Sequence, residues 1–285
     1  GDGRIVLHQG AMDIGQGANT VIAQIFAEAL GVDVAAVELI GPDTDVTPDA
    51  GKTSASRQTF VSGNAARATG RALRAEVLRL TNATEGRISV APDGITVVSL
   101  DGTRHHAVLP AGEGYVLEAA ESYDPPTRPL DADGQGDPYA VYGYAAQMVE
   151  LTVDTRLGTV RLDHIHAAHD VGRAINPALV EGQIHGGVAQ GIGLALMEEY
   201  IPGRTDNLHD YLIPTIGDVP PITCHIVEVA DPHGPFGAKG LGEHVLIPTA
   251  PAILSAIRHA CGARVTRLPA TPDRLLAAIR AVTEV

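Results

Sequence analysis

The sequence predicts an α+β fold in two lobes, and three features predict it. The chain opens as strand, glycine loop, helix, strand. Its middle carries two long strand-like runs joined by a tight turn. Helical periodicity then dominates the last third. With 285 residues and 45% apolar composition, there is ample material for a core in each lobe.

The elements follow in order. IVLH at 5–8 reads as a buried strand, and QGAMDIGQG is the loop after it. Val21, Ile22, Ile25, Phe26 and Leu30 then recur at helical spacing, and Gly31 suits a left-handed helix end. VAAVELIG returns as a strand, completing a strand–helix–strand unit. A second helix is expected from about Gly63 to Leu80, with Arg67, Arg71 and Arg74 near one face. Residues 86–140 read as short strands and turns, with a Pro-, Asp- and Gly-rich surface loop near 124–138.

YAVYGYAAQMVELTVD and TVRLDHIHAAHD, joined by TRLG, form a hairpin. Asn176 before Pro177 is a natural cap for a third helix, because proline at the first helical position gives up no hydrogen bond. Further helices are expected near 245–260 and 272–283. The lobes are expected to span 1–138 and 139–285.

Composition excludes several functions. A net charge of −14 without a basic tract disfavours nucleic acid, since phosphate contacts need clustered Lys and Arg. Cys224 and Cys261 are the only cysteines and are far apart, so the chain by itself ligates no iron–sulfur cluster or cysteine-based zinc. They also suit a reducing, cytoplasmic compartment. No apolar run reaches the roughly 20 residues of a membrane span, and there is no signal peptide. The start at GDGRIVLHQG, without methionine, reads like the middle of a longer protein.

Five stretches carry candidate chemistry. DIGQGANT lies between a strand and a helix, where backbone N–H groups gather. It lacks the third glycine of a dinucleotide fingerprint, because position 20 is Thr, and a tight loop is the plain alternative. Gln16, between Gly15 and Gly17, could donate to an oxygen without adding charge. In PDAGKTSAS, Val46 stands where a P-loop needs glycine, which excludes an NTPase. The hydroxyls of Thr53, Ser54 and Ser56, with Arg57 and Gln58, suit a phosphorylated ligand or an ordinary capping loop.

His164 and His166 share one strand face and could reach zinc, but His169 falls on the other. Gln183 and Gln190 lie two helical turns apart amid Gly186, Gly187, Gly191 and Gly193. Each helical glycine costs up to about 1 kcal/mol, so either a close neighbour or a ligand against the backbone is implied. Finally, PFGAKGLGEH ends a glycine-rich loop on Glu243, a carboxylate that is either a helix cap or a reagent.

Taken together in order, GAMDIGQGANTVIAQIFAEALGV, TSASRQTF with GNA, DVGRAINPALVEGQIHGGVAQGIGLALMEE and PFGAKGLGE resemble the molybdopterin-binding large subunit of the xanthine dehydrogenase and aldehyde oxidase family. The resemblance is to that subunit's C-terminal part, and to the smaller molybdopterin subunit of split members such as nicotinate dehydrogenase.

It implies a two-lobed molybdenum-hydroxylase fold and molybdopterin, in its cytosine dinucleotide form, with molybdenum. The metal would be held by the pterin dithiolene near Gln16 and Glu243, with no direct protein ligand. Glu243 would be the general base, ionised yet poorly solvated. The cofactor contacts implied are Gly15, Gln16, Gly17, Thr53, Ser54, Ser56, Arg57, Gln58, Gln183, Gln190, Lys239 and Gly240.

The reaction implied is insertion of water-derived oxygen at an electrophilic C–H carbon of an N-heteroaromatic compound or an aldehyde. It would require partner subunits: a second molybdopterin subunit carrying the N-terminal half, an iron–sulfur subunit and a flavin (FAD) subunit. Two other readings stand beside it. One is an assembly subunit that keeps the fold without a productive metal. The other is a zinc protein built on His164 and His166.

Overall fold

The structure, a computed structural model, describes residues 2–110 and 114–283. It comprises two compact units: Gly1–Tyr142 with Ala230–Gly240, and Gly143–Val229 with Leu241–Val285. The segment 230–240, expected in the second lobe, therefore belongs to the first. Long polar side chains of the second helix hold it there. Asn64 Nδ2 donates to the His233 carbonyl at 2.8 Å, and Arg67 donates to the Gly234 carbonyl at 3.0 Å.

In the first unit, β1 (Ile5–His8) and β2 (Val37–Ile40) pair in parallel, Ile5 opposite Val37, with α1 (Ala18–Leu30) as the crossover. The crossover helix ends as its sequence requires: Gly31 adopts φ 87° and returns its N–H to the Ala27 carbonyl. α2 (Gln58–Thr81) starts five residues before the expected Gly63 and packs on α1. A Cβ on Gly70 of α2 would lie 2.7 Å from the Ala29 methyl and 2.8 Å from the Phe26 carbonyl oxygen of α1. The antiparallel strands β3 (Arg87–Ala91), β4 (Gly94–Val98) and β5 (Arg104–Ala107) form a separate small sheet.

In the second unit, β6 (Ala145–Asp154) and β7 (Thr159–Asp170) are the expected hairpin, with the register shifted between Glu150 and Leu151. β8 (Ile222–Val227) adds to β7 in parallel. Its sequence, ITCHIV, is only six residues long, and no strand is expected there from the sequence. α3 (Pro177–Leu196), α4 (Thr249–Cys261) and α5 (Pro272–Thr283) complete the unit. Asn176 caps α3 as expected, its Oδ1 accepting from Leu179 N at 3.2 Å. Val149, Ile165, Ile184, Val188, Ile192, Val245, Ile253, Ile257 and Leu275 form one apolar core.

The inward phase of the hairpin also carries two polar groups, Gln147 and a fully buried His169. Burial, and then the neighbouring His244 ring, hold the His169 imidazole down to about 4. On the outward face, the His164 and His166 rings stack at 4.5 Å and His225 stacks on His166 at 5.8 Å.

Two stability outcomes follow. Gly70→Ala should gain up to about 1 kcal/mol of helix propensity but lose about 1–3 kcal/mol to overpacking against α1. A lower midpoint in thermal unfolding is therefore expected. For His169, the unfolded group protonates near 6.5 while the folded one stays neutral until about 4. Its contribution to stability is complete above 6.5 and is lost as pH falls to about 4. Urea midpoints measured across that window should drop with acidification, and His169→Leu should flatten the slope.

Candidate functional site

In the first unit, two loops meet on one carbonyl. Gln16 Nε2 donates to Met12 O at 3.1 Å, and Thr53 Oγ1 donates to the same oxygen at 2.7 Å. Gln16 Oε1 accepts from Ile14 N at 2.7 Å, so its amide shapes its own loop. The organiser of that loop is Asp13. Its carboxylate accepts from the backbone of Gly15, Gly17 and Asn19 at 2.9, 3.2 and 3.0 Å. Partial burial raises its pKa, but the three N–H bonds outweigh this and the net shift is downward. Asp13 therefore does the work of a cap for α1, while Gly17, at φ 86°, supplies the turn. Sequence reasoning passed over Asp13. An Asp ahead of a glycine loop that opens a helix was the available signal.

The second loop is braced from within. Arg57 donates to the carbonyls of Ala50 and Lys52 at 3.0 and 3.2 Å. Gln58 is buried and donates to Lys52 O at 3.0 Å. These two residues, expected as ligand contacts, spend the described bonds on loop shape. What the loop presents instead is the exposed Ser54 and the turn at Ala55 and Ser56, both in the left-handed region at φ 54° and 53°. Non-glycine residues rarely hold that conformation unless their surroundings demand it. The 239–240 segment reaches the same place: a Cβ on Gly240 would stand 1.7 Å from the Ser56 carbonyl oxygen. The first unit thus gathers Gly15–Gly17, Thr53–Gln58, Lys239 and Gly240.

Gln183, Gln190 and Glu243 lie in the second unit. The glycines of α3 divide by face. A Cβ on Gly187 would meet the Val245 side chain at 2.1 Å, and one on Gly191 would meet Thr249 at 2.3 Å. Close packing accounts for both. Gly186 is exposed with nothing within 4 Å, on the same side as the exposed Gln190 and half-buried Gln183. Packing within the chain does not account for that glycine.

Glu243 opens a single 3₁₀ turn, Glu243–Val245, closed by Leu246 N on the Glu243 carbonyl at 3.2 Å. α4 begins only at Thr249, after Pro248. The alternative of Glu243 as the cap of that helix therefore fails, since it stands six positions upstream. The expectation of a poorly solvated base is not met by this chain alone, which leaves Glu243 exposed. The ring of His244 lies against Gly143, where a Cβ would come within 3.0 Å, and 5.4 Å from the His169 ring. As for zinc, no group of three His, Cys, Asp or Glu among the described residues is placed to hold a metal ion. No described helix is long and apolar enough to cross a membrane.

Each unit thus presents polar groups of its own. Backbone and hydroxyl donors converge in the first unit, and an open glycine flanked by two amides lies on α3. The family model of the molybdopterin cofactor-binding domain matches residues 1–220. A putative xanthine dehydrogenase molybdenum-binding subunit of Escherichia coli (strain K12) is 36% identical over 293 residues, covering 96% of this chain and 37% of that protein.

The 6-hydroxypseudooxynicotine dehydrogenase complex subunit gamma of Paenarthrobacter nicotinovorans is 33% identical, covering 96% and 36%. The crystal structure of the aldehyde oxidoreductase from Desulfovibrio desulfuricans superposes with a TM-score of 0.80 at 32% identity, covering 96% of this chain and 28% of that one. The chain thus spans about a third of the length of the curated relatives it matches. It belongs to the molybdopterin cofactor-binding domain family, in the xanthine dehydrogenase and aldehyde oxidoreductase group.

Proposed function

We propose that this chain is the cofactor-binding, base-bearing part of a molybdenum hydroxylase acting on an N-heteroaromatic ring or an aldehyde, in the cytoplasm. The observation that carries the reading is the Glu243 turn. It is a carboxylate at the head of a tightly packed turn of its own, six positions ahead of the start of α4. The relative acting on 6-hydroxypseudooxynicotine favours the heterocycle.

Thr53, Ser54, Ser56 and the backbone around Gly15–Gly17 and Gly240 would hold the phosphate and pterin portions of molybdopterin, in its cytosine dinucleotide form. Gln183, Gln190 and Gly186 would line it along α3. When bound, the cofactor supplies an electron-accepting metal centre. Glu243 would take up, on its carboxylate, a proton released in that oxidation. A base must keep its proton affinity near the working pH. Since this chain leaves Glu243 exposed, its enclosure would fall to the cofactor and the partner subunits.

The need for a partner has its own support. A two-stranded parallel sheet is not stable in isolation, because parallel strands are buried on both faces. Beside β1 and β2 lies a cavity of about 900 Å³ lined by Ile5, Val6, Ile40, Leu73, Val77 and Leu117. A second molybdopterin subunit supplying strands there would complete the sheet. Iron–sulfur and flavin subunits would carry the electrons away.

Glu243→Gln in the assembled enzyme should lower turnover at least a thousandfold while molybdenum, measured by elemental analysis, stays near one per chain. Near-normal turnover would remove Glu243 from the chemistry. Gly186→Leu adds a side chain where the chain has open space, so thermal stability should hold or rise. Bound pterin, identified by mass spectrometry, should fall more than tenfold with the subunits still co-eluting. Full pterin content would show that no ligand lies along α3 there.

A further inference from the structure

The Glu243 turn is gripped from β6 by a side chain that the mechanism above does not use. Gln147 Nε2 donates to the Val245 carbonyl at 2.9 Å, and Gln147 Oε1 accepts from Thr249 Oγ1 at 2.8 Å. The same nitrogen stands 3.3 Å from His169 Nε2. An amide nitrogen only donates, so His169 Nε2 is the acceptor and the imidazole proton resides on Nδ1. The orientation of the amide is thereby fixed. Turned over, its oxygen would face the Val245 carbonyl, acceptor against acceptor.

The two residues gripped are those whose side chains occupy the notches left by Gly187 and Gly191 on α3. Val245 and Thr249 are thus held from two directions: by van der Waals contact on the α3 side, and by a two-pronged hydrogen bond from the strand. The turn between those contacts closes on the Glu243 carbonyl. Glu243 is the first residue of this turn, so the position of its backbone depends on where the turn is held.

We propose that Gln147 is a positioning residue: its paired hydrogen bonds to Val245 and Thr249 hold the 243–249 turn in the one arrangement from which Glu243 acts. The proposal rests on the reading of Glu243 as the base. A displacement of about 1 Å at a reacting group can cost a hundredfold in rate, which is the scale on which a lost grip would register.

The test uses the assembled, cofactor-loaded protein and two readouts, steady-state kinetics and peptide-level hydrogen–deuterium exchange. Gln147→Met keeps length and removes both bonds. It should lower kcat ten- to a hundredfold with KM within threefold, and speed exchange over 241–250 about tenfold while peptides of α3 keep wild-type rates. Thr249→Val should reproduce both effects, and Thr249→Ser, which keeps the hydroxyl, should restore kcat to within threefold of wild type. Gln147→Met combined with Thr249→Val should be no slower than the worse single variant, as expected when both cut one linkage.

Wild-type exchange over 241–250 in Gln147→Met overturns the proposal, as does a rise spread evenly over the second unit. Glu243→Gln, assayed in parallel, separates the two ideas. If it keeps turnover, the base assignment fails and the catalytic part of this proposal fails with it. If it is inactive and Gln147→Met is normal in both readouts, only the positioning role fails.

Discussion

Two absent side chains on α3 set where the carboxylate-bearing turn can lie. Gly187 and Gly191 stand one turn apart on the buried face of that helix, and Val245 and Thr249 fill the notches. Any Cβ at either position would force the 243–249 segment away from the helix and off the core formed by Ile184, Val188, Ile192 and Ile253. The helix gives up propensity at these positions, on the order of 1 kcal/mol each. It gains in exchange a contact that fixes a short, irregular segment as firmly as a regular one.

The first unit solves a related problem by different means. Its candidate donors lie on loops, and a loop has no ladder to hold it. Here the Met12 carbonyl takes hydrogen bonds from Gln16 and Thr53, Asp13 gathers three backbone N–H groups, and Arg57 and Gln58 tie the neighbouring loop to its own carbonyls. The strained backbone at Ala55 and Ser56 survives in that setting because so many bonds determine its surroundings. Polar residues that look like ligand contacts are in part the framework that aims others.

Much of this was legible in the sequence. The parallel β1–α1–β2 unit, the β6–β7 hairpin, the Gly31 end and the Asn176 cap each follow from a local rule, and local rules are what a sequence displays. The four family stretches pointed to the family to which the chain belongs. What was not legible depends on distant partners. A carboxylate five residues before Pro248 looks like a cap until the helix is seen to start at Thr249. The loop of 230–240 looks like part of the second lobe until Asn64 and Arg67 are seen to claim it. Gln147 did leave a trace: an amide in the inward phase of a half-buried strand must find partners, and so must His169 opposite that phase on β7. An exposed Glu243 was not anticipated either. A residue's solvation belongs to the whole assembly, and the pattern of one chain does not contain it.

The return of 230–240 to the first unit has a consequence for how the chain comes to be. A ribosome delivers 143–229 before it delivers the segment whose carbonyls α2 requires. The first unit emerges earliest yet closes late, and Asn64 and Arg67 wait for acceptors that lie 169 and 167 positions further along the chain. A polypeptide severed near residue 142 would leave the front piece without that closing strap. The two units are compact in space but interleaved in sequence, and cutting the gene at the apparent boundary would leave the first incomplete and the second carrying a segment that belongs to the other.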